Sequence, residues 1–568
     1  MEYSREMNRN SRENGTNMRG GRAANFVVQG SILAAAGILV RIIGMLYRMP
    51  LNDIIGKQGN GYYTSAYNVY NILLILSSYS MPVAVSKMIS SRLARGEYHN
   101  CRRILKAGLV YATAAGGIAA AVLWFGADLF AELIKTPMSR YALKTLAPTI
   151  WIMAYLGVLR GYFQGMGTMV PTALSQILEQ IVNAIVSIIG AAVLLGYGQT
   201  AAERQNNDLL GPAYSAAGGT LGTVAGALIG LVFLGMCFGA YKNILKRQLR
   251  SDKSRKRDEY QMLLKLLVVT IAPVILSTAI YNSSNVIDSA MFNNIMTAQG
   301  YTEQQCATEI GKLGEYYTLF NVPLAVANAL GSSMIPGLVR ASENRDRKLV
   351  HHRIYMAVRY TMLIAIPSAV GFFVIGKPIL DFLWPNVENS TQGMMLQIGA
   401  ISLVFYSLST ITNAVLQGLN RMTKPVKNAT IALVLHIVAL FIMLVMFKWR
   451  IYAIIVSKIV FSLVMCIMNA HDIREATGYI QERQRTFIIP GIAAAIMGVV
   501  TFLLDLILDV FIGGRIATLL VLIVAVAVYG ISLLKLGGLT EDELLAMPKG
   551  ATLIMICKKL HLLNESMY

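Results

Sequence analysis

Long apolar stretches, each close to the length of a membrane span, recur along this chain from Phe26 to Leu536. A helix of about 20 apolar residues crosses the hydrocarbon core of a bilayer and satisfies its own backbone hydrogen bonds. We therefore predict an all-α integral membrane protein with about 14 transmembrane helices and no sizeable soluble domain. The predicted spans are 26–47, 62–83, 107–131, 146–165, 173–196, 217–240, 263–288, 316–339, 355–376, 395–418, 428–447, 451–470, 487–508 and 515–535.

The spans form two halves in which the same short motifs recur in the same order. The segment 82–85 (PVAV) recurs as 323–326 (PLAV), and 164–171 (QGMGTMVP) recurs in outline as 417–425 (QGLNRMTKP). An even number of spans separates the copies, so the halves share one orientation, a transporter architecture with the substrate path between the repeats. The predicted organisation is a polar N-terminus (1–25), an N-lobe (26–241), a basic linker (242–262), a C-lobe (263–470), two further spans (471–536) and a tail (537–568).

Composition and charge agree with a membrane protein and give its orientation. Only 14% of residues are charged and 55% are hydrophobic, whereas about 25% are charged in an average soluble domain. The 50 Lys and Arg residues outnumber the 30 Asp and Glu residues, for a net charge of +20. Most of the basic residues lie in alternate connections, which the positive-inside rule assigns to the cytoplasm. Both termini are therefore predicted to be cytoplasmic, and no nucleic-acid partner is needed to explain the excess charge.

Four predicted spans carry polar side chains at helical spacing, which places them on one face of each helix. Such stripes are expected to point away from lipid, because polar groups in the hydrocarbon core are unfavourable. A hydrated cavity shared by the spans is one explanation, and hydrogen bonds that hold the helices together are the other. The stripes are Tyr63, Tyr67, Asn68 and Asn71 in span 2; Gln176, Glu179, Gln180 and Asn183 in span 5; Thr278, Tyr281, Asn282, Asn285 and Asp288 in span 7; and Tyr406, Thr410, Asn413 and Gln417 in span 10.

Charged residues within the spans are candidates for a binding site. Arg41 and Arg48 share one face of span 1, and paired cations suit a phosphate or diphosphate, although both could instead extend to the outer headgroups. Arg160 lies across a short connection from Glu179 and could form a structural ion pair with it. Glu179 and Asp288 are the acidic candidates for ion coupling.

Several other kinds of site are excluded by spacing or context. The segment 371–377 (GFFVIGK) has the spacing of a phosphate-binding loop, but Pro378 follows where magnesium binding needs Ser or Thr. The single His436 in span 11 is typical of a packed, hydrogen-bonded histidine. The five cysteines are far apart and have no partner histidines, so neither a disulfide framework nor a metal site is predicted, and no cofactor is implied.

Three segments carry a resemblance to a known family: 44–48 (GMLYR), 159–180 with its LRGYFQG and PTA motifs, and 413–418 (NAVLQG). The segment 539–550 (LTEDELLAMPKG) adds to it. The chain resembles flippases of the multidrug/oligosaccharidyl-lipid/polysaccharide exporter superfamily, in the branch of stage V sporulation protein B and the lipid II flippases.

The resemblance implies two six-helix lobes with two added C-terminal helices, and a polyprenyl-diphosphate-linked saccharide as cargo in the membrane lipid. Arg41 and Arg48 match the span 1 arginines that engage the sugar diphosphate in the family. Where we align the family's arginines of spans 2 and 8, this chain has Leu74 and Leu319 or Phe320. The cargo can therefore be lipid II or another polyprenyl-linked glycan.

The leading hypothesis is a flippase of the cytoplasmic membrane that moves such a lipid by alternating access, with a coupling cation as a further partner. Its predicted substrate-binding residues are Arg41, Arg48, Tyr67, Asn71, Arg160, Gln164, Gln180, Asn183, Asn282, Asn285 and Gln417. A cation-coupled multidrug exporter is the alternative, although it needs only twelve helices. A membrane glycosyltransferase or ligase is the third, but the longest external loop (289–315) lacks a pair of catalytic acids, so the protein is predicted not to be an enzyme.

Overall fold

The computed structural model describes the backbone of residues 2–252, 254, 257–385, 387–511, 514–539, 541, 543, 554, 555 and 558. Within its helices, side chains are described from residue 33 onwards, apart from residues 34, 35, 38, 273, 274, 277, 332, 333, 336, 340 and 343. The side chains of the predicted polar N-terminus (1–25) and most of the predicted tail (537–568) lie outside this part.

The described part of the chain is built from α-helices joined by short connections. Short π-helical turns interrupt the regular helix at Ile75–Tyr79, Ala112–Gly116 and Gln484–Ile488, and a 3-10 turn forms at Pro137–Ser139. The α-helices are α1 (Glu2–Leu74), α2 (Met81–Leu93), α3 (Tyr98–Tyr111), α4 (Gly117–Phe125), α5 (Ala127–Leu133), α6 (Arg140–Gly165), α7 (Val170–Gln205), α8 (Leu210–Ala240), α9 (Lys242–Ser251), α10 (Tyr260–Ala298), α11 (Glu303–Glu343), α12 (Arg347–Leu383), α13 (Ser390–Gly418), α14 (Thr423–Val445), α15 (Tyr452–Thr477), α16 (Ile489–Phe511) and α17 (Gly514–Lys535).

Helix α1 is interrupted at Gly56, where two helical segments meet. This residue has φ 67° and ψ 174°, a non-helical conformation that glycine adopts without the steric cost of a Cβ atom. The break lies between the predicted spans 26–47 and 62–83. One continuous element of the structure thus corresponds to two elements of the sequence prediction.

Eleven helical segments in the described residues are long and apolar enough to cross a membrane. One of them, Leu39–Leu93, covers both the end of predicted span 1 and all of span 2. Helices α10 and α11 correspond to predicted spans 7 and 8 and are not among the eleven, since each contains residues whose side chains lie outside the described part. The helical membrane fold is confirmed, and the number of 14 spans stays a prediction.

The chain divides into two compact units, Met1–Ala279 and Ile280–Tyr568. The division falls inside α10, within predicted span 7. It agrees with a two-halved chain, and the finer domain boundaries stay predictions.

In the first unit, α7 and α8 pack with their backbones almost in contact. A Cβ atom added to Gly218 would lie 2.1 Å from the carbonyl oxygen of Gly190, and one added to Gly222 would lie 2.4 Å from that of Asn183. Small residues allow this close approach between membrane helices, where van der Waals packing and hydrogen bonds hold helices together. The pairing fixes the polar face of α7 relative to α8.

The predicted basic linker (242–262) contains α9, and the chain that follows this helix is docked onto the start of α3. The carboxylate of Asp252 accepts a hydrogen bond from the backbone N–H of His99 at 2.7 Å. Asp258 forms an ion pair with Arg92 at 2.7 Å, and its backbone N–H donates to Asn100 at 3.1 Å. Two acidic residues therefore anchor this linker within the first unit.

In the second unit, a buried ion pair connects α12 to the chain after α17. Arg359, only 2% exposed, lies 2.6 Å from a carboxylate oxygen of Glu543 and donates to the carbonyl of Gly538 at 2.7 Å. The phenol of Tyr355 accepts a further hydrogen bond from Arg359 at 2.6 Å. These contacts explain an arginine within an apolar span, because both of its terminal nitrogens, Nη1 and Nη2, have acceptors inside the protein.

Candidate functional site

In the first unit, Arg48 lies among tyrosine side chains that come from both halves of α1. Its guanidinium carbon is 4.9 Å from the ring centroid of Tyr63, a cation–π distance. The ring of Tyr63 stacks on Tyr67 with centroids 4.6 Å apart, and Tyr67 is followed by Tyr70 at 5.5 Å. The break at Gly56 makes this arrangement possible, since it returns the second half of α1 alongside the first.

The polar face of α7 lies against this cluster. Asn183 donates to the phenol of Tyr47 at 3.5 Å, and its own oxygen accepts from Ser187 at 3.1 Å. The amide of Gln180 lies 3.2 Å from the position that a Cβ on Gly44 would take. From α8, the hydroxyl of Thr223 hydrogen-bonds that of Tyr67. Arg48, Tyr67, Gln180 and Asn183 therefore lie in one polar region of the first unit.

Arg160 and Glu179 form the ion pair that the sequence predicted. Arg160 Nη2 lies 2.6 Å from a carboxylate oxygen of Glu179, and its Nε donates to Ser175 at 3.1 Å. Arg160 is buried on α6, and Glu179 retains 23% exposure of its side chain. The substrate role of Arg160 and the ion-coupling role of Glu179 stay predictions.

The second unit contains a buried group of three charged or titratable side chains. Asp288 on α10 lies 2.6 Å from Nε2 of His436 on α14 and 2.9 Å from Nζ of Lys458 on α15. All three are at least 95% buried, with relative exposures of 1%, 0% and 5%. Lys458 also donates to Ser284 at 2.6 Å and to Asn285 at 2.8 Å, so the predicted face of span 7 supplies its acceptors.

Helix α13 contributes its predicted polar face to a chain of amide and charged groups. Asn413 accepts from Asn469 at 2.9 Å, and Asn469 accepts from Asn428 at 2.9 Å. Asn428 donates to Asp472 at 2.8 Å, and Asp472 pairs with Lys424 at 2.7 Å. For Asn413, the hydrogen bonds between helices are the explanation that the structure favours.

The remaining predicted site residues are described by the exposure of their side chains. Arg41 is exposed on α1, and Asn71 is exposed near the end of the same helix. Gln164 is half-buried at the end of α6, Asn282 is half-buried on α10, and Gln417 is exposed at the end of α13. Exposure towards lipid or solvent does not test a role in binding, so these assignments stay predictions.

Two important side chains were outside the predicted site, although both are in predicted spans. His436 was interpreted as a packed histidine; it is indeed buried and hydrogen-bonded, and its partner is the predicted coupling residue Asp288. Lys458 is a charge in an apolar span, which was the available signal. Their link to Asp288 could not be found from spacing, because the three residues lie on separate helices.

The two groups have different chemical capacities. The Arg48 cluster offers one cation supported by aromatic faces and phenols, which suits an anionic or polyhydroxylated headgroup. The Asp288 group contains one carboxylate in direct contact with one ammonium and one imidazole. Neither group has the arrangement of an activated nucleophile with its base.

Comparison with known proteins gives the family and the fold. The family model for polysaccharide biosynthesis proteins matches residues 27–342. Stage V sporulation protein B of Bacillus subtilis is 28% identical over 404 residues, which cover 70% of this chain and 74% of that protein. The lipid II flippase MurJ of the same organism is 26% identical over 530 residues, which cover 89% and 93% of the two chains.

Two solved structures have the same fold at low sequence identity. The inward closed structure of a lipid II flippase aligns with a TM-score of 0.60 and 14% identity, over 89% of this chain and 97% of that one. The inward-facing structure of a multidrug resistance transporter aligns with a TM-score of 0.57 and 16% identity, over 78% and 99%. The lipid II flippase and the multidrug transporter are carriers rather than catalysts, and this multi-pass membrane protein belongs to the polysaccharide biosynthesis protein family.

Proposed function

We propose that this protein is a flippase that moves a lipid-linked oligosaccharide, or a lipid II-type peptidoglycan precursor, across the cytoplasmic membrane by alternating access. The observation that carries this proposal is the polar region around Arg48, a cation enclosed by tyrosines within an apolar helical protein. The diphosphate of a polyprenyl-linked saccharide needs a cation, and its sugars need hydrogen-bonding groups such as Tyr67, Gln180 and Asn183.

The similarity to the lipid II flippase supports a lipid cargo over a drug. That relative matches 93% of its own length, and the match extends over 89% of this chain. The multidrug transporter structure aligns with 78% of this chain, so the rest of this chain has no counterpart in that transporter. Helices α16 and α17, which follow the predicted C-lobe, are the added pair that the resemblance implies.

Arg48 and Arg41 are both assigned to the diphosphate, but their roles differ. Arg48 is held by Tyr63 and lies beside the polar face of α7, whereas Arg41 is exposed one to two turns away on α1. In this assignment Arg48 binds the diphosphate within the first unit, and Arg41 attracts the headgroup before it enters. Both termini are assigned to the cytoplasm, which accords with the distribution of basic residues.

Ion coupling is assigned to Asp288 in preference to Glu179. Glu179 is paired with an arginine whose charge does not change at physiological pH. Asp288 contacts two titratable side chains, His436 and Lys458, and neither of them is an arginine.

The test is translocation of a labelled lipid in proteoliposomes. A fluorescent polyprenyl-diphosphate disaccharide is reconstituted with the protein, and its transfer is followed by quenching with a membrane-impermeant reagent. Loss of a charged hydrogen bond costs about 1.5–3 kcal/mol, so Arg48→Ala is expected to slow transfer by about tenfold or more. Arg95→Ala is the matched control, because its side chain is 63% exposed near the end of α2.

Two further outcomes separate the alternatives. Lipid II and a peptide-free lipid-linked oligosaccharide are compared as probes, and preference for one of them identifies the cargo class. A multidrug exporter would instead give drug efflux in a pump-deficient host and no lipid transfer in vesicles. Undiminished lipid transfer by the combined Arg41→Ala and Arg48→Ala variant would refute the diphosphate assignment.

A further inference from the structure

The short helix α9 begins where an apolar helix of membrane-spanning length ends. Helix α8 is among the eleven segments able to cross a membrane, and its last residues, 231–240 (LVFLGMCFGA), carry no charged side chain. Only Tyr241 separates α8 from α9. Its ring meets that of Phe163 edge-on at 6.1 Å and is 38% exposed, and tyrosine is enriched at the boundary between hydrocarbon and headgroups. Helix α9 therefore starts at the level of the lipid headgroups.

One face of α9 is purely cationic. The helix contains Lys242, Lys246, Arg247 and Arg250 and no carboxylate. At 3.6 residues per turn, these four side chains fall within an arc of about 140° around the helix. All four are exposed, and the ion pairs of the neighbouring linker residues do not include them. This basic face of α9 is thus open to a partner.

The opposite side of α9 is apolar. It carries Ile244, Leu245 and Leu249. Leu245 packs against a buried cluster that includes Ile104 and Leu105 of α3, whereas Ile244 is 46% exposed. The helix is therefore attached to the first unit along one edge and keeps an exposed apolar side chain beside its basic face. Helices that lie in the plane of a membrane surface have this combination of faces.

The carboxylates that follow α9 do not neutralise its charge. Asp252 accepts the hydrogen bond from the backbone N–H of His99, and Asp258 is paired with Arg92. Glu259 is exposed, but it lies further along the chain, next to the start of α10. The linker thus directs its two aspartates towards the protein and leaves the cations of α9 outside.

We propose that the basic face of α9 is a binding surface for the headgroups of anionic phospholipids. The phosphodiester groups are contacted by the four cations, and the exposed Ile244 enters the boundary with the acyl chains. A lipid surface fits better than a soluble polyanion, because the face begins one residue after an apolar helix and because a soluble polyanion would leave Ile244 in water. This inference goes beyond the proposed function and does not depend on it, since it requires no cargo.

Binding of anionic lipid has a consequence for the backbone of α9. In a zwitterionic bilayer the helix is held to the first unit at Leu245, whereas in an anionic bilayer its basic face is held as well. A helix held on both sides opens less often, and its amide hydrogens exchange more slowly. Exchange within α9 therefore reports occupancy of the proposed surface.

The test uses the full chain in nanodiscs of phosphatidylcholine in which the fraction of phosphatidylglycerol is increased stepwise. Hydrogen–deuterium exchange of the segment 242–251 is followed by mass spectrometry. We expect exchange to slow as phosphatidylglycerol is added and to recover at 1 M salt, where the screening length falls to about 3 Å. The closely packed segment 183–190 of α7 is the internal reference and is expected to be unaffected.

Charge-removing and charge-keeping variants of α9 form a matched pair. Replacement of all four cations by Gln is expected to abolish the effect of phosphatidylglycerol on exchange. The exchanged set, Lys242→Arg, Lys246→Arg, Arg247→Lys and Arg250→Lys, keeps every charge and is expected to retain the effect. The single variant Arg247→Gln is expected to weaken the apparent affinity for phosphatidylglycerol by up to about fivefold, because a cation near an anionic surface contributes about that factor.

A second control removes positive charge from another part of the first unit. Arg140→Gln combined with Lys144→Gln removes two cations that are both paired with Asp128. This variant is expected to keep the response of α9 to phosphatidylglycerol. Thermal unfolding checks every variant, and the single Arg247→Gln replaces the fourfold Gln variant as the test if the latter is unstable.

Soluble anions provide the competing outcome. Inorganic phosphate and a short RNA are each added to the protein in phosphatidylcholine nanodiscs at low salt, and neither is expected to slow exchange in α9 as phosphatidylglycerol does. Protection by RNA without protection by phosphatidylglycerol would overturn the lipid assignment. Equal exchange in the two kinds of nanodisc, or a phosphatidylglycerol effect that persists in the stable fourfold Gln variant, would overturn it as well.

Discussion

The ion pair between Arg160 and Glu179 allows a quantitative test of how charges are accommodated in the first unit. Glu179→Met leaves the guanidinium of Arg160 in a site where it is only 8% exposed, with Ser175 as a remaining acceptor. Removal of one partner from a buried pair costs about 3–5 kcal/mol. Because Glu179 retains 23% side-chain exposure, water can reach the orphaned charge, and we expect a loss of about 2–3 kcal/mol.

Replacement of both partners is expected to be much less harmful. In the Arg160→Met and Glu179→Met double variant no charge is left unpaired, so unfolding free energy is expected within about 1 kcal/mol of the parent protein. The double-mutant cycle then gives a coupling energy of about 1–3 kcal/mol. Reversible unfolding in mixed micelles measures all three variants, and Glu203→Met, at an exposed position on α7, is the control.

Two results would refute this reasoning. Glu179→Met could be as stable as the parent protein, which would mean that the guanidinium is solvated or repartnered. Alternatively, the double variant could lose as much stability as the two single variants combined, which would mean that the side chains act independently. If the double variant is stable but inactive in lipid transfer, Glu179 or Arg160 has a role in transport beyond the ion pair.

Two further predictions concern helix packing and the linker. Gly218→Ala is expected to destabilise the protein by about 1–3 kcal/mol, because its Cβ would lie 2.1 Å from the carbonyl of Gly190; thermal unfolding measures this, with Gly235→Ala, which meets no atom within 4 Å, as the control. Burial alone would raise the pKa of Asp252, but backbone N–H donors, including that of His99, hold this pKa below its usual value. The ionised Asp252 therefore stabilises docking of the linker onto α3 at pH values above about 4, the pKa of this residue in the unfolded chain. This stabilisation is lost as the pH falls through the lower pKa of Asp252 in the folded protein. Hydrogen exchange at the His99 amide, corrected for its intrinsic rate, should increase only under those acidic conditions, and equal protection throughout would contradict the assignment.

The helical membrane fold and the two-halved chain could be predicted from the sequence because both depend on short-range pattern. Apolar length predicts a span, and helical spacing predicts which side chains share a face. The Arg160–Glu179 pair could be predicted for a related reason, since a short connection brings the ends of α6 and α7 together. The structure confirms that pair at 2.6 Å.

The sequence did not predict the breaks in the regular helix around span 2, and it did not fix the number of spans. Gly56 creates a break inside α1, and π-helical turns interrupt the chain at Ile75–Tyr79. Helices α10 and α11 contain residues whose side chains lie outside the described part, so the eleven candidate spans are drawn from the other helices.

The sequence by itself determined that this protein is an all-helical membrane protein with polar faces on its predicted spans. Those properties follow from composition and periodicity, which each segment carries alone, whereas the similarity of the two halves stays a prediction. Only the tertiary structure decided which polar residues are partners. It places Asp288 between His436 and Lys458 from two other helices, and Arg48 over the ring of Tyr63. The physical reason is that a helical pattern specifies the direction of a side chain but not the identity of the helix that packs against it.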